Sequence, residues 1–199
     1  MWVYLANWLV QDGEIPELAP GMRLRSVGLR ADCASGRPAD DRPDGVLALP
    51  PSRGLPTFSY ELTGVIGRPT DVRASGVGGA QYQVGAEFQL TAGDQAFVVL
   101  VPGTARDYGA GDQLTVRGTV WVIPAHEWDA FELPDLRRDW RVNGVKAEHR
   151  SLVPKGDGGS VPGEVRAVFD LDRMRRWEDQ PGSRLMVSYV VDLSLVLTT

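Results

Sequence analysis

Between residues 185 and 197 every second residue is large and apolar. Leu185, Val187, Tyr189, Val191, Leu193, Leu195 and Leu197 share one parity, while Ser188, Asp192 and Ser194 fall on the other. A period of two lines one face of an extended chain, so the run specifies a half-buried strand. The same period aligns Phe58, Tyr60, Leu62 and Ile66, then Val84, Ala86, Phe88 and Leu90, then Leu114, Val116, Val120 and Val122. Residues 97–101 are continuously apolar and rich in β-branched side chains, which reads as a central strand covered on both faces. The opening run Trp2–Val10 reads the same way. Weaker strands are expected at Met22–Leu29, Trp140–Val145 and Glu164–Leu171. Helix signals are confined to 134–138, with Pro and Asp in the first turn, and 170–179, where Leu171, Met174 and Trp177 are spaced by three. Neither is long enough to build a helical layer.

Turn-forming residues divide the chain. Residues 34–56 carry five prolines (Pro38, Pro43, Pro50, Pro51 and Pro56) and read as an exposed loop or linker. Gly76, Gly78 and Gly79 mark a connection between two strands, and residues 154–163 form a further Gly/Pro loop. The resulting division is 1–33 as N-terminal strands packing on the body and 34–56 as the Pro-rich segment. A barrel core follows at 57–125, and 126–199 supplies strands and short helices that complete the same globular unit. A chain of 199 residues is long enough for one such unit with a substantial core. The terminal strands are too apolar to be free tails and are expected to pair with the body or with each other.

Residues 58–123 resemble an OB-fold barrel. The likeness rests on Tyr60-Glu61-Leu62-Thr63-Gly64-Val65-Ile66 as a bent first strand with an internal glycine, followed by a Gly-rich turn. It continues through Glu87-Phe88-Gln89-Leu90, residues 97–101, and the Gly-Asp-led strand Gly111-Asp112-Gln113-Leu114-Thr115-Val116-Arg117-Gly118-Thr119-Val120. The two ends are similar to an uncharacterised bacterial family of small β proteins, in the Trp-containing opening strand and in Tyr189-Val190-Val191-Asp192-Leu193; the cysteine pair of that family's first strand is missing. The expected fold class is therefore all-β: an OB-like or related small antiparallel barrel with terminal strands added and one or two short helices.

An OB-like barrel implies an oligonucleotide face, with aromatic platforms in a basic groove. Charge opposes it. The chain carries 21 Lys+Arg against 26 Asp+Glu, a net charge of -5. Between Glu61 and Ala130 four arginines face eight acids, where phosphate neutralisation calls for a cationic excess. Tyr82, Phe88 and Trp121 read as core by their strand spacing. The most pointed polar features are two Arg–Trp clusters, Arg137-Arg138-Asp139-Trp140-Arg141 and Arg173-Met174-Arg175-Arg176-Trp177. Guanidinium beside indole suits phosphate or base stacking, but the flanking acids favour a salt-bridged face. His126, Glu127 and Asp129, beside Trp128, form the one compact acid–base group and are weak catalytic candidates. His149 beside Glu148 is the second histidine. Two imidazoles and the single Cys33 fall short of the three or four ligands of a zinc site, so no metal and no cofactor are expected. Cys33 beside Asp32 reads as an ordinary free thiol.

With no catalytic constellation in the sequence, the leading expectation is a non-enzymatic binding or assembly module acting through protein–protein contacts. Its partner is another protein or a second copy, met through Trp128, Arg137, Arg138, Trp140, Arg141, Arg173, Arg176 and Trp177. The alternatives are a single-stranded nucleic-acid binder using the Arg–Trp clusters, and a hydrolase or metal-dependent enzyme centred on His126. The opening apolar run is too short to span a bilayer and carries no signal-peptide features, so the expectation is a cytoplasmic protein without a membrane partner.

Overall fold

The computed structural model describes residues 1–39, 41–51, 56–75, 81–124, 135–154, 160–174 and 186–196. Eleven strands dominate it: β1 Trp2–Leu5, β2 Arg23–Pro38, β3 Gly45–Ala48, β4 Tyr60–Ile66, β5 Thr70–Ser75, β6 Gln81–Ala92, β7 Gln95–Val101, β8 Gln113–Ile123, β9 Arg138–Pro154, β10 Ser160–Leu171 and β11 Met186–Leu195. One short helix, α1 (Asn7–Gln11), and a 3-10 turn at Ala105–Asp107 complete the described elements. The chain divides into two compact units, one of Met1–Val27 with Arg138–Thr199 and the other of Gly28–Arg137. The long strand β2 contributes its first residues to the former and Gly28–Pro38 to the latter.

The unit of Gly28–Arg137 is a closed ring of five strands. β4 pairs antiparallel with β6 at one end and with β8 along its length, β6 pairs with β7, and β2 closes the ring. β2 runs antiparallel to β8, from Gly28 opposite Ile123 to Pro38 opposite Leu114. It runs parallel to β7, with Ala31 opposite Val99. Taking β4, β6, β7 and β8 as OB strands 1 to 4, β2 occupies the position of strand 5, between strands 3 and 4. The barrel thus has OB pairing with its last strand moved to the front of the chain. The 3-10 turn lies between β7 and β8, where an OB barrel places its helix.

This arrangement confirms the barrel expected of 58–123 and corrects it in two respects. That stretch supplies only four ring strands, and the fifth comes from 28–38, part of which reads as the start of a linker. The barrel is also mixed rather than purely antiparallel: β2 runs parallel to β7, and such neighbours are joined by a long crossover rather than a tight turn.

Side chains on alternate positions fill the interior. Ala31, Phe88, Phe97, Val99, Val116 and Val120 are fully buried. Two glycines permit the tight curvature: a Cβ at Gly64 would overlap the carbonyl of Thr91, and one at Gly118 would overlap the carbonyl of Asp32. Small barrels bring backbones this close where strands coil sharply, and glycine removes the obstacle. Val98 lies on the opposite face of β7 from Phe97 and Val99. It is nevertheless buried, because Ile123 and Leu136 pack over it. β7 is covered on both faces, as its unbroken apolar run requires.

In the other unit, β9 pairs antiparallel with β10 and β11, and β11 pairs with β1. The terminal strands do pair with each other, Trp2 opposite Asp192 and Leu5 opposite Tyr189. β11 is more deeply buried than a half-exposed strand: Tyr189, Val190 and Val191 have no accessible surface, and Ser188 is buried too. The opening run is strand only to Leu5. Beyond it Asn7–Gln11 is helical and buries Leu9 and Val10. A short apolar run fits either state by periodicity, and packing of Leu9 and Val10 selects the helix. The expected turn of helix at 134–138 is absent from its described residues, 135–138. Asp135 instead caps a non-helical turn, accepting the Arg137 backbone N–H at 2.9 Å, and Arg138 already begins β9. The expected helix at 170–179 opens in β10, and 175–179 lie outside the described residues. Among the described residues no helix is long and apolar enough to cross a membrane.

Candidate functional site

Of the residues that sequence patterning singles out, the structure describes Arg137, Arg138, Trp140, Arg141, Glu148, His149 and Arg173. His126, Glu127, Trp128, Asp129, Arg176 and Trp177 lie outside the described residues. Trp140 is core: it is 4% exposed, sits opposite Leu24, and donates its indole N–H to the Val27 carbonyl at 3.2 Å. That removes Trp140 from any contact surface. The strand period of β9 turns Trp140 and Val142 inward and leaves Arg141 exposed. Arg137 is committed to Asp135 through two parallel contacts of 2.9 Å. Arg138 and Arg173 are exposed. His149 packs edge-on against Phe169, with ring centroids 5.1 Å apart. Its neighbour Glu148 points to the opposite side, where it is fully buried and accepts from the Tyr4 hydroxyl at 2.9 Å and Arg150 Nε at 2.6 Å. Alternation along β9 therefore separates Glu148 from His149. Among the described residues no three His, Cys, Asp or Glu side chains are grouped to hold a metal ion.

The polar structure of the barrel unit lies elsewhere. On the outward face of β6, β7, β2 and β8, the register aligns Glu87, Leu100, Asp32 and Thr119 in one row. Gln89, Val98, Arg30 and Trp121 form the next. Arg30 is paired to Asp32 at 2.8 Å, and the Trp121 indole N–H donates to Thr119 Oγ1 at 3.1 Å. Burial pushes the Glu87 carboxyl above its ordinary range; Arg30 opposes this and Asp32 adds to it. Leu136 covers the Val98 end of the face. It is acidic, internally paired and partly roofed.

Two other features stand open. The first is the hairpin of β5 and β6. Among the described residues β5 pairs with β6 alone, and no described strand pairs with its other edge. Tyr82 and Val84 on this hairpin are 57% and 46% exposed. Its base is rigidly tied: Asp71 Oδ1 accepts from Gln83 Nε2 at 3.0 Å and from the Ala105 backbone N–H at 2.7 Å, and Gln83 Nε2 also donates to the Gly103 carbonyl at 2.9 Å. Core spacing made Tyr82 read as buried. It is exposed because β6 outruns the ring at that end and pairs only with β5.

The second is a cluster of three arginines around Glu61 on the β2–β8–β4 face. Arg117 Nε donates to Glu61 Oε2 at 2.6 Å, Arg42 donates to Oε1, and Arg37 approaches Oε2 at 3.5 Å. Burial would raise the Glu61 carboxyl, but hydrogen bonds from Arg117 and Arg42 outweigh it and hold the group below its ordinary value. A cleft of about 530 Å³ adjoins, lined by Gly36, Arg37, Pro38, Asp107, Tyr108, Asp112, Gln113 and Leu114. Asp107, Asp112 and Tyr108 in it are occupied with local structure. Asp107 caps Thr104, Asp112 accepts the Gly109 N–H, and the Tyr108 hydroxyl donates to the Pro102 carbonyl. No sequence motif marks this cluster, since its members come from three strands and a connection. Glu61, set between the apolar Tyr60 and Leu62, is the sequence feature that could mark it.

The chain matches no family model, no curated protein and no solved structure.

Proposed function

We propose that the chain is a non-enzymatic binding module that acts through protein–protein contact at the β5–β6 hairpin. The observation that carries this reading is the combination of a strand edge unpaired among the described residues with an exposed tyrosine and valine on a hairpin whose base is fixed by Asp71 and Gln83. An open edge offers unpaired N–H and C=O groups to an added strand, and flanking apolar side chains supply specificity. Tyrosine is among the residues on which interface energy concentrates. The nucleic-acid alternative is disfavoured by charge: residues 28–137 hold nine arginines against fourteen acids, a net of -5.

Affinity purification from the native host tests the reading, comparing the wild-type chain with a Tyr82→Ser/Val84→Ser variant. A partner retained by the wild type should be lost by the variant, while the thermal midpoint stays put because both residues are exposed. Retention of the same partner at equal yield refutes the hairpin as the contact surface.

A further inference from the structure

Three guanidinium groups converge on one carboxylate in the barrel unit, and their number exceeds what that carboxylate can satisfy. Each guanidinium brings five N–H donors, whereas an ionised carboxylate accepts at about four lone-pair sites. Glu61 is 6% exposed at its side chain, while Arg37, Arg42 and Arg117 are 48%, 40% and 49% exposed. The carboxylate is therefore the buried floor of the cluster, and the unused donors face solvent. Arg117 binds through Nε, which leaves both of its terminal nitrogens outside that bond. Arg37 touches Glu61 only at 3.5 Å, at the limit of a hydrogen bond. One acid against three bases leaves a local charge of about +2.

The cluster is also held in place. Glu61 and Arg117 are directly opposite on β4 and β8, and Ser35 of β2 lies opposite Arg117. Arg42 belongs to the connection after β2, which is pinned by the Ala39 N–H to the Gln113 carbonyl at 3.2 Å and by Gln113 Nε2 to Asp44 at 2.6 Å. That second contact occupies Asp44; Asp41, next to Arg42 in sequence, is exposed and outside the contacts to Glu61. Beside them on the same face, Thr63 and Thr115 are buried and bonded to each other at 3.0 Å. Arginines anchored on a buried carboxylate, with N–H donors to spare, favour a tetrahedral oxyanion, because the planar fork can grip two oxygens at once.

We propose that Arg37, Arg42 and Arg117, set on Glu61, bind a compact phosphoryl dianion of the kind carried by phosphate monoesters and by pyrophosphate. The local charge matches a dianion. The surrounding unit, at -5, repels a long polyanion that would have to run beyond the cluster. The site lies on the β2–β8–β4 face, away from the outward face of β6 and β7, and is independent of the β5–β6 hairpin.

Calorimetric titration with pyrophosphate, inorganic phosphate and a single-stranded oligonucleotide, in a low-salt buffer free of phosphate, tests this. Pyrophosphate should bind saturably with a Kd below about 1 mM, and inorganic phosphate more weakly. Arg37→Gln with Arg117→Gln should weaken pyrophosphate by about tenfold or more, as expected for loss of charge-assisted bonds. Arg106→Gln, on the 3-10 turn, should leave binding unchanged. The double variant keeps Arg42 on Glu61, and an unaltered thermal midpoint would show that its fold survives. Absence of saturable pyrophosphate binding overturns the proposal and leaves the cluster as a clamp for the 39–44 connection. Equal binding by the double variant overturns it as well. Tighter binding of the oligonucleotide through the same arginines overturns the assignment to a compact ligand.

Discussion

If β2 is the fifth strand of the barrel, truncating an inward side chain on it must cost as much as truncating one anywhere in the core. Leu29 is the place to test this: it is 1% exposed, opposite Val122 on β8, and shares its face with Ala31, which lies opposite Val99 and Val120. Leu29→Ala deletes three buried carbons. At about 0.8 kcal/mol each the transfer part is about 2.4 kcal/mol, and the cavity left behind brings the total to about 3–4 kcal/mol. With a urea dependence of about 2 kcal/mol/M, the midpoint should fall by about 1.5–2 M at constant slope. Asp32→Asn is the matched control on the outward face. It loses the partly exposed pair with Arg30, removes the Asp32 charge that acts on Glu87, and should change stability by less than about 1 kcal/mol. Urea unfolding followed by circular dichroism gives the midpoints, and native-state hydrogen exchange at Val120 and Val122 shows whether the loss is felt in β8. A Leu29→Ala protein within about 0.5 kcal/mol of wild type, with β8 exchange unchanged, would refute the closure of the barrel by β2.

Two further outcomes follow from buried titratable groups in the same unit. Burial, reinforced by the neighbouring Asp32 charge, pushes the Cys33 thiol up to about 12, so the native protein should react with a disulfide reagent at neutral pH far more slowly than the denatured chain. A native rate equal to the denatured one would contradict that burial. Glu87 is raised in the fold by burial, so its favourable contribution is present below its unfolded value, near 4.5, and is lost as pH rises through the folded value. Glu87→Gln should accordingly be more stable than wild type at about pH 7 and lose that advantage by about pH 4, read from thermal midpoints at both. A variant less stable at neutral pH would mean that Glu87 is stabilised there as a carboxylate.

The all-β class, the strand faces and the fully covered β7 were legible in the chain because each depends on a local repeat. Alternation at Leu114, Val116, Val120 and Val122 specifies which side is buried whatever the strand pairs with, and all four are buried. The bend at Gly64 was legible too, since a glycine inside a strand marks a close approach of backbones. What closes the ring was not. Residues 34–38 carry small and turn-forming side chains with no apolar alternation, and they are strand only because β8 supplies their ladder. The Trp2–Val10 run reads as one strand by hydrophobicity, and burial of Leu9 and Val10 bends it into helix after Leu5.

The same division holds for the candidate sites. Local patterning draws attention to residues that are close in sequence, such as Arg137 to Arg141, yet alternation buries Trp140 and leaves Arg141 exposed. Arg37, Arg42, Glu61 and Arg117 are as many as 80 positions apart and share no motif. Their meeting rests on the pairing of β4 with β8 and β8 with β2, which is a property of register. Sequence determines what each strand must bury, because side-chain parity and transfer free energy are local. Which strands become neighbours, and hence which charges converge, is decided only when the barrel closes, because hydrogen-bonded ladders take their partners from anywhere in the chain.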